Sequence, residues 1–229
     1  MKNSGKLLFI TGTDTGVGKT LLTALLLQHL RSAGVHALAM KPFCSGTRED
    51  VELLQSLQAD ELANEEMNPF YFAEAVAPAV ARDRRKIALT DVVKRVRQVG
   101  KKCEVLLVEG SGGLLVPLAR EFDVRDLIRA LKAPVALVAR NRLGTINHTL
   151  LTLEAMQGID CKSVTLMAGA QADLSVRTND VLLQRMVRKV RVLKMPFLGV
   201  KASRLGAVKR EAEKQKKTLE ALVRVHRLA

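Results

Sequence analysis

Short apolar runs alternate with longer segments of helical periodicity along this chain. The apolar runs predict strands at residues 7–10, 37–40, 105–108, 135–138, 164–167 and 197–200. The periodic segments predict helices at about residues 19–33, 50–57, 90–99, 124–131, 146–156, 179–190 and 207–223. Because strands that alternate with helices form parallel sheets covered on both faces, the pattern predicts an α/β fold with a mostly parallel sheet and helices on both faces. The segment 61–85 fits neither pattern, and we expect it to form an insertion over the functional site.

A glycine-rich segment joins the first predicted strand to the first predicted helix. It reads GTDTGVGKT over residues 12–20. Between a strand and a helix, such a loop exposes backbone N–H groups that bind phosphates, and the helix dipole adds to the attraction. Lys19 can then reach the β- and γ-phosphates, and the Thr20 hydroxyl can bind Mg²⁺. Gly12 lies one residue further from Gly18 than the usual pattern requires, so a glycine-rich turn without a nucleotide stays an alternative.

Charged residues follow the next two predicted strands. Right-handed crossovers bring the carboxyl ends of parallel strands to one edge, where ligands bind in open α/β sheets. Lys41 and Asp50 come after the second strand, and Glu109 ends the third. The two carboxylates with Thr20 would suit Mg²⁺, and a cation at Lys41 would face a transferring phosphoryl group. The alternatives are a surface acid, a helix-capping aspartate and an exposed lysine.

The chain has the length of one domain and a basic C-terminal end. Its 229 residues carry a formal net charge of +14, and residues 185–229 hold 14 lysine and arginine residues against 3 glutamates. We expect residues 1–229 to form a single domain, in which about residues 201–229 are a basic helical tail. Such a tail is typical of a nucleic-acid or membrane-surface patch, or of a solvated helix face. Because aromatic residues make up only 3% of the chain, we favour the solvated face and expect no nucleic-acid partner.

Cysteine usage indicates a compartment. Cys44, Cys103 and Cys161 are far apart and form no zinc-ligand pattern. A sparse, odd number of cysteines is typical of a reducing cytoplasm. The N-terminus has no signal-peptide pattern, and no apolar run is long enough to span a bilayer. We therefore expect a cytoplasmic protein without a membrane partner.

Five segments resemble, in their order along the chain, those of dethiobiotin synthetases. They read GTDTGVGKT, KPFCSG, APAVA, EGSGGLLVPL and NRLGTINHTLLTLEA. The segment DLSVRTN at residues 173–179 is similar to a late segment of some members. The resemblance covers about residues 5–180, and NRLGTINH is its most specific part because many NTPases share the phosphate loop. It implies a single-domain P-loop NTPase fold.

The resemblance implies an ATP-dependent ligase of biotin biosynthesis. In that family 7,8-diaminononanoate takes up CO₂ as a carbamate, ATP phosphorylates the carbamate, and the second amine displaces phosphate to close the cyclic urea of dethiobiotin. Two amines on one carbon chain make ring closure intramolecular, with a high effective molarity. Mg²⁺ accompanies the co-substrate ATP. The family is a homodimer, in which the substrate carboxylate lies near the helix after the fourth strand of the partner subunit.

The resemblance also implies roles for individual residues. Lys19 and Lys41 would be catalytic. The nucleotide would contact Thr15, Gly16, Val17, Gly18, Lys19, Thr20, Leu21, Asp50, Glu109, Gly110, Ser111 and Gly112. Mg²⁺ would bind Thr20, Asp50 and Glu109. The substrate would contact Thr13, Lys41, Ser45, Gly112 and Gly113, together with Leu143, Gly144, Thr145 and Asn147 of the partner subunit.

Two loops that recognise the nucleotide base in this family are different here. Members usually have an Asn after the fifth strand and an Ile-Pro pair after the sixth. This chain has LMAGA at residues 166–170 and VKASR at residues 200–204. We therefore predict weak selectivity among ATP, GTP and CTP.

Two other functions stay open on the residues alone. One is another phosphate-loop protein, such as a cobyrinate-type amidoligase or a partition-type ATPase. Partition ATPases usually carry an extra lysine early in the loop, where this chain has Thr13, Asp14 and Thr15. The other is a nucleotide-binding regulator that has lost catalysis and binds nucleic acid through its basic tail, for which salt-dependent DNA binding would be the sign.

Overall fold

The computed structural model describes residues 5–82, 86–171 and 173–229. In chain order the strands are β1 (Lys6–Gly12), β2 (Ala37–Met40), β3 (Phe43–Ser45), β4 (Phe70–Phe72), β5 (Val105–Glu109), β6 (Val135–Asn141), β7 (Cys161–Ala168) and β8 (Arg191–Met195). The helices are α1 (Lys19–Ser32), α2 (Glu49–Leu57), α3 (Asn64–Met67), α4 (Leu89–Gly100), α5 (Val124–Leu131), α6 (Thr145–Ala155), α7 (Asn179–Met186), α8 (Leu205–Lys214) and α9 (Lys216–His226). Short 3₁₀ helices cover Pro78–Val80 and Leu174–Arg177.

Within the described ranges, six strands form one parallel sheet in the order β2-β5-β1-β6-β7-β8. The central strands are buried on both faces, and β5 is buried at every position, which explains their continuous apolar runs. The predicted α/β fold is confirmed. Because β1 lies between β5 and β6, the chain turns to opposite sides of β1 in its two halves, and the crevice at this switch point is where such sheets bind ligands.

Most of helix α1 is buried, and its leucines from Leu22 to Leu30 are all buried. The two C-terminal helices account for this. Helix α8 packs on α1, and α9 packs on α1, β7 and β8. Their inward positions are Val208, Ala212, Leu219 and Leu222. The basic C-terminal segment is therefore part of the hydrophobic packing, and its lysines and arginines lie on the outer side.

The strand predicted at residues 197–200 is wrong. The last strand is β8, which pairs with β7 so that Val192 lies opposite Val164. Pro196 follows β8 directly and cannot donate a ladder hydrogen bond. Gly199 then takes a φ of 89°, and Val200 is 84% exposed. The apolar composition of this run reflects a surface loop rather than a strand.

The last two predicted helices have different bounds in the structure. The helix predicted to end at residue 190 ends at Met186. The helix predicted at residues 207–223 is two helices, α8 and α9, which meet at Gln215. Both helices pack on α1, and the break lets α9 also turn its apolar side towards β7 and β8.

The predicted insertion at residues 61–85 contains α3, β4 and the 3₁₀ helix Pro78–Val80. Strand β4 pairs with β3, so that Phe72 lies opposite Ser45. The insertion therefore borders the strand that follows Lys41. Residues 83–85 of this prediction lie outside the described residues, as do residues 1–4, which belong to the stretch without a signal-peptide pattern. No helix of the described chain has both the length and the hydropathy that a bilayer crossing requires.

Candidate active site

The glycine-rich loop leaves β1 at Gly12 and reaches α1 at Lys19. Gly16 and Gly18 have φ values of 69° and 104°, which residues with a Cβ rarely adopt. Gly18 is the residue before the first turn of α1, so the free N–H groups and the positive end of the helix face the loop. The loop has the strand–turn–helix context that the sequence predicts for phosphate binding.

Lys19 folds back over its own loop. Its Nζ donates a hydrogen bond to the backbone oxygen of Asp14 at 2.9 Å, and the side chain is buried. Burial lowers the pKa of Lys19, Glu109 opposes this effect and the nearby charge of Lys41 adds to it, so that the pKa falls to about 8. The ammonium is thus held close to where a triphosphate would lie, and its charge depends on pH in a range near neutrality.

Lys41 bridges two carboxylates that come from different elements. Its Nζ donates to Glu109 Oε1 at 2.8 Å and to Asp50 Oδ2. Glu109 is completely buried at the end of β5. The Thr20 hydroxyl, in the first turn of α1, donates to the same Oε1 at 2.6 Å. The structure thus brings together the four residues that the sequence proposed for the metal and the phosphoryl group.

The two lysines of this cluster have opposite electrostatic states. Burial alone lowers the pKa of Lys41, but Glu109 and Asp50 outweigh that effect and raise the pKa above the ordinary lysine value. Lys19 makes no hydrogen bond to a carboxylate of the described residues, and its pKa is lowered. The difference follows from their partners: a buried ammonium stays protonated when carboxylates contact it and loses its proton more easily when a neutral carbonyl does.

The residues present fit a magnesium ion that arrives with a nucleotide. Glu109 Oε2 is buried without a hydrogen-bond partner among the described residues, which is costly for a carboxylate oxygen unless a ligand completes it. No group of three or more His, Cys, Asp and Glu side chains within the described ranges is placed to hold a metal by itself. Mg²⁺ often binds one or two carboxylates and completes its octahedral coordination with phosphate oxygens and waters. The carboxylates of Asp50 and Glu109 and the hydroxyl of Thr20 suit this coordination.

A cavity of about 350 Å³ opens between these groups. Most of its wall consists of residues that the sequence proposed for the nucleotide, the metal or the substrate. They are Thr15, Gly16, Gly18, Lys19, Thr20, Leu21, Lys41, Ser45, Asp50, Glu109, Ser111 and Gly112. Ser45 Oγ is buried with no hydrogen-bond partner in the described chain. A hydroxyl in that state can accept or donate a bond to a ligand in the cavity.

The sequence reasoning missed three further residues that line this cavity: Cys44, Thr47 and Ser203. Cys44 and Thr47 lie in the segment after β2, where proximity to Lys41 could have pointed to them. Ser203 comes from the loop between β8 and α8, and it reaches the cavity because α8 packs on α1. No motif marks it, since the approach depends on the packing of the C-terminal helices.

Some predicted site residues lie beside the cavity rather than in its wall. Val17 is buried, and a Cβ on Gly110 would lie 2.9 Å from the ring of Phe9, so both serve the packing of the loop. A Cβ on Gly113 would lie 3.4 Å from the backbone oxygen of Thr13. Gly113 therefore permits the close approach of the β5–α5 loop to the phosphate loop.

The four residues proposed at the start of α6 do not line this cavity. Leu143, Gly144 and Asn147 are exposed, and Leu143 is exposed by 78%. Thr145 is buried and lines a second cavity of about 100 Å³ with Thr13. Its Oγ1 has no hydrogen-bond partner in the part of the chain described. Of the four residues proposed for the substrate carboxylate, only Thr145 thus lies near the phosphate loop of its own chain.

Hydrogen bonds fix the loop before α6. Asp173 Oδ2 accepts from the backbone N–H of Leu143 at 2.8 Å, and Asn179 Nδ2 donates to Asn141 Oδ1 at 2.9 Å and to the Arg142 oxygen at 3.2 Å. These partners belong to the DLSVRTN segment, whose similarity to some dethiobiotin synthetases was its only signal in the sequence. Its structural role is to hold the β6–α6 loop.

A cleft of about 140 Å³ lies on the other side of the phosphate loop. Its side chains are mostly apolar, and Arg140 is the one charged residue that lines it within the described ranges. Arg140 Nη2 donates to the backbone oxygen of Gly16 at 2.7 Å. The remaining wall is Gly16, Val17, Gly18, Leu21, Met167, Ala168, Gly169, Pro196, Phe197, Leu198 and Gly199. No asparagine lines the described part of this cleft, in line with the altered loop sequences.

Comparison with known sequences identifies relatives over most of the chain. The sequence profile described as "AAA domain" matches residues 6–200. The ATP-dependent dethiobiotin synthetase BioD of Bacillus licheniformis is 36% identical over 202 residues, which are 84% of this chain and 83% of the relative. The enzyme of the same name from Anaeromyxobacter dehalogenans strain 2CP-C is 38% identical over 213 residues, 88% of this chain and 96% of the relative. That of Bacillus subtilis strain 168 is 33% identical over 84% of this chain and 85% of its own.

Solved structures share the architecture at low sequence identity. The MinD cell division protein of Aquifex aeolicus is 14% identical, with a TM-score of 0.58 over 97% of this chain and 96% of its own. A ParA family ATPase from Chlorobium tepidum TLS is 12% identical, with a TM-score of 0.57 over 97% of each chain. At this identity the likeness supports the P-loop NTPase fold and nothing more specific.

Proposed function

The chain belongs to the AAA domain family and to the family of ATP-dependent dethiobiotin synthetases, and from that premise we propose that it closes the urea ring of dethiobiotin with ATP. The substrates are 7,8-diaminononanoate, CO₂ and ATP, and the products are dethiobiotin, ADP and phosphate. Such a reaction requires a cationic, water-poor cavity in which an anionic carbamate meets the γ-phosphate. One observation carries the proposal. Lys41 lies between Asp50 and Glu109 and shares a cavity with Lys19 and Thr20.

The phosphate loop supports the binding of the triphosphate. Its backbone N–H groups from Thr15 to Thr20 and the start of α1 offer hydrogen bonds to phosphate oxygens. Lys19 adds a positive charge at the β- and γ-phosphates once its Nζ leaves the Asp14 oxygen. Thr20, Asp50 and Glu109 would hold Mg²⁺, which when bound neutralises charge on the transferring phosphoryl group. These assignments rest on the geometry of the cavity and on the matching motifs.

In the first chemical step, an oxygen of the carbamate attacks the γ-phosphorus, and the bond to ADP breaks. Lys41 contributes its positive charge to the carbamate and to the equatorial phosphoryl oxygens. The second amine then attacks the carbonyl carbon of the carbamoyl phosphate, phosphate leaves with its electron pair, and the nitrogen loses a proton. Ser45, with its unbonded Oγ in the cavity wall, orients the carbamate. Most of the rate enhancement comes from placing both amines near the activated carbon.

We also propose a homodimer with the substrate carboxylate bound across the interface. Support comes from apolar side chains that the monomer leaves exposed around α6 and α7. They are Leu143, Leu151, Leu174, Val181, Leu182 and Met186. Exposed Leu143, Gly144 and Asn147 at the start of α6 would then reach the cavity of the partner, where the helix N-terminus suits a carboxylate. Sedimentation of the protein at micromolar concentration tests this, and a monomer would count against it.

Three further features complete the proposal. The apolar base cleft supports weak selectivity among nucleotides. The packing of α8 and α9 on α1 supports a single domain that includes residues 201–229. All three cysteines, each within the described ranges, are free, which supports a location in the reducing cytoplasm.

The test measures dethiobiotin by mass spectrometry after incubation with 7,8-diaminononanoate, bicarbonate, ATP and Mg²⁺. We expect product with the wild type and, because one electrostatic stabiliser is lost, a rate lower by roughly 10³-fold for Lys41→Ala. Lys101→Ala is the matched control, since Lys101 is exposed and its ammonium has no partner among the described residues. Product from neither the wild type nor the control would overturn the proposed function. Rescue of a biotin auxotroph lacking this step gives the same comparison in a cell.

A further inference from the structure

Lys41 bonds to both carboxylates that the proposed function assigns to a metal. We propose that Lys41 is the resident counter-ion of the metal site: it neutralises Glu109 and Asp50 before the nucleotide binds, and it leaves them for the substrate when a metal–nucleotide complex takes their oxygens. This inference rests on the proposed function, and it adds an order of events. The cation that receives the carbamate becomes available only after the nucleotide has bound with its metal.

The hydrogen bonds show the conflict directly. Glu109 Oε1 already accepts from Lys41 Nζ at 2.8 Å and from Thr20 Oγ1 at 2.6 Å. Lys41 Nζ also contacts Asp50 Oδ2. All three groups proposed as metal ligands are therefore engaged with Lys41 or with each other. A divalent ion can take Glu109 Oε2, which has no partner in the described structure, but it then lies beside the ammonium that donates to Oε1 of the same carboxylate.

Charge repulsion prevents Lys41 and a metal ion from neutralising Glu109 at the same time. Glu109 is completely buried, and a buried carboxylate requires a cation or several donors to remain charged. Lys41 supplies this cation in the nucleotide-free protein. When Mg²⁺ takes over that task, an ammonium left at hydrogen-bond distance from the same carboxylate would be repelled by two positive charges. The arrangement holds one counter-ion at a time.

The cavity offers Lys41 a second position. Its side chain is a flexible four-carbon stem, and it shares the cavity wall with Cys44 and Ser45. Ser45 Oγ has no partner in the described structure and can accept a hydrogen bond from the displaced ammonium. A carbamate bound beside Ser45 would then meet a cation that is no longer neutralised by Glu109.

Lys19 provides a comparison within the same cavity. It carries the same side chain, is also buried, and lies near enough for Glu109 to influence its pKa. Its hydrogen bond, however, goes to the Asp14 oxygen and not to a carboxylate. Removing Lys19 thus removes one positive charge from the cavity without freeing a metal ligand. If removing Lys41 increases metal affinity more than removing Lys19 does, the difference measures direct competition between Lys41 and the metal for the carboxylates.

The experiment titrates Mn²⁺ into the nucleotide-free protein and counts free metal by electron paramagnetic resonance. We expect Lys41→Met to bind Mn²⁺ at least about tenfold more tightly than the wild type, because two carboxylates lose their competitor. Lys19→Met is expected to change the affinity by no more than about threefold, since it alters only the through-space charge. Equal effects of the two variants, or no gain for Lys41→Met, would overturn the exchange.

A second measurement avoids any variant that folds poorly, because it uses the wild type. The Nζ signal of Lys41 is followed by ¹⁵N NMR and assigned by its loss in Lys41→Arg. We expect it to shift on addition of ADP with Mg²⁺ and to stay in place with ADP and EDTA. A signal that ignores the metal would also overturn the exchange. Neither measurement uses dethiobiotin formation. The exchange can therefore fail in an active enzyme, or be present in a protein that forms no dethiobiotin, and the two results are distinguishable.

Discussion

The two halves of the proposed nucleotide site are built differently. In the phosphate half, charged and polar side chains bond to one another: Lys41 to Glu109 at 2.8 Å and Thr20 to the same carboxylate at 2.6 Å. In the base half, the cleft beside β7 and β8, the wall is mostly apolar side chain and backbone, with Arg140 as its one charged residue in the described ranges and Phe197 exposed by 46%. Hydrogen bonds hold the side chains of the phosphate half in place without a ligand, whereas the base half provides an apolar surface for contact.

This difference follows from what each half must recognise. A transferring phosphoryl group needs charges and donors at fixed positions, so few residue types can serve there. A base can be held by stacking and backbone contacts, which many sequences provide. We therefore expect substitutions in the phosphate half to alter the rate of the reaction, and substitutions in the base half to alter the concentration of nucleotide that it needs.

The largest effect is expected for Glu109→Gln. A neutral amide leaves Lys41 without its buried counter-ion and gives Mg²⁺ a weaker ligand, so kcat should fall by roughly 10³-fold. Steady-state formation of dethiobiotin at saturating ATP and Mg²⁺ is the measurement. Glu104→Gln is the control, because Glu104 lies just before β5 and its carboxylate bonds to the backbone N–H of His36, away from the cavity. A loss of less than about tenfold at Glu109 would erase the contrast between the halves.

The next effect is a pH dependence of nucleotide affinity. The pKa of Lys19 is lowered to about 8, so below pH 8 the ammonium is charged in the free protein and attracts the triphosphate. As the pH rises above 8, the free protein loses this proton and binding must take one up, which weakens affinity by up to about tenfold per pH unit. Lys41 does not contribute to this range, because its pKa is raised.

Calorimetric titration with ADP between pH 7 and 10, in buffers of different ionisation enthalpy, measures both the affinity and the proton uptake. Lys19→Met should remove the uptake and flatten the profile. An affinity that is unchanged over this range in the wild type would show that the phosphate half does not depend on this charge.

The regular part of the fold was predictable from periodicity. Strands β1, β2 and β5 are buried apolar runs with turn residues behind them, and α5 has the predicted bounds. The pattern failed where apolar composition had another cause. Residues 197–200 form a mostly exposed loop after Pro196. The helix break at Gln215 follows because α9 packs on β7 and β8 as well as on α1, while α8 packs on α1. Strands β3 and β4 are too short for their period to be recognised.

The residues of the candidate site were predictable where they lie at the ends of strands. Lys41, Asp50 and Glu109 could be placed together because parallel strands end at one edge. Ser203 could not, since its approach depends on the packing of α8 against α1. Nor could the bond from Arg140 to the Gly16 oxygen, because it joins two strand ends through a long side chain whose direction the sequence does not determine.

In the base half, we expect a smaller effect that is shared by all nucleotides. Phe197→Ala removes stacking surface, so KM should rise by roughly three- to tenfold with ATP, GTP and CTP alike, while kcat changes little. In the wild type, kcat/KM for the three nucleotides should agree within about tenfold, because no side chain with both a donor and an acceptor lines the described cleft. Strict preference for ATP would show that the backbone recognises the base, and would remove the asymmetry between the halves.

The smallest effect on nucleotide kinetics is expected for Gly169→Ala in the base half. Gly112→Ala in the phosphate half is the variant to compare with it. A Cβ at Gly169 would lie 3.0 Å from Arg140 Nη1, the mobile end of a long side chain. Arg140 can move, so KM for ATP should change by less than about threefold. Gly112 has a φ of 65°, and its Cβ would lie 2.6 Å from Val116 Cγ2. That variant should lose about 1–2 kcal/mol of unfolding free energy from the backbone conformation alone. Thermal unfolding and ATP kinetics of both variants test this, and equal losses of stability would mean that the base half is as tightly determined as the phosphate half.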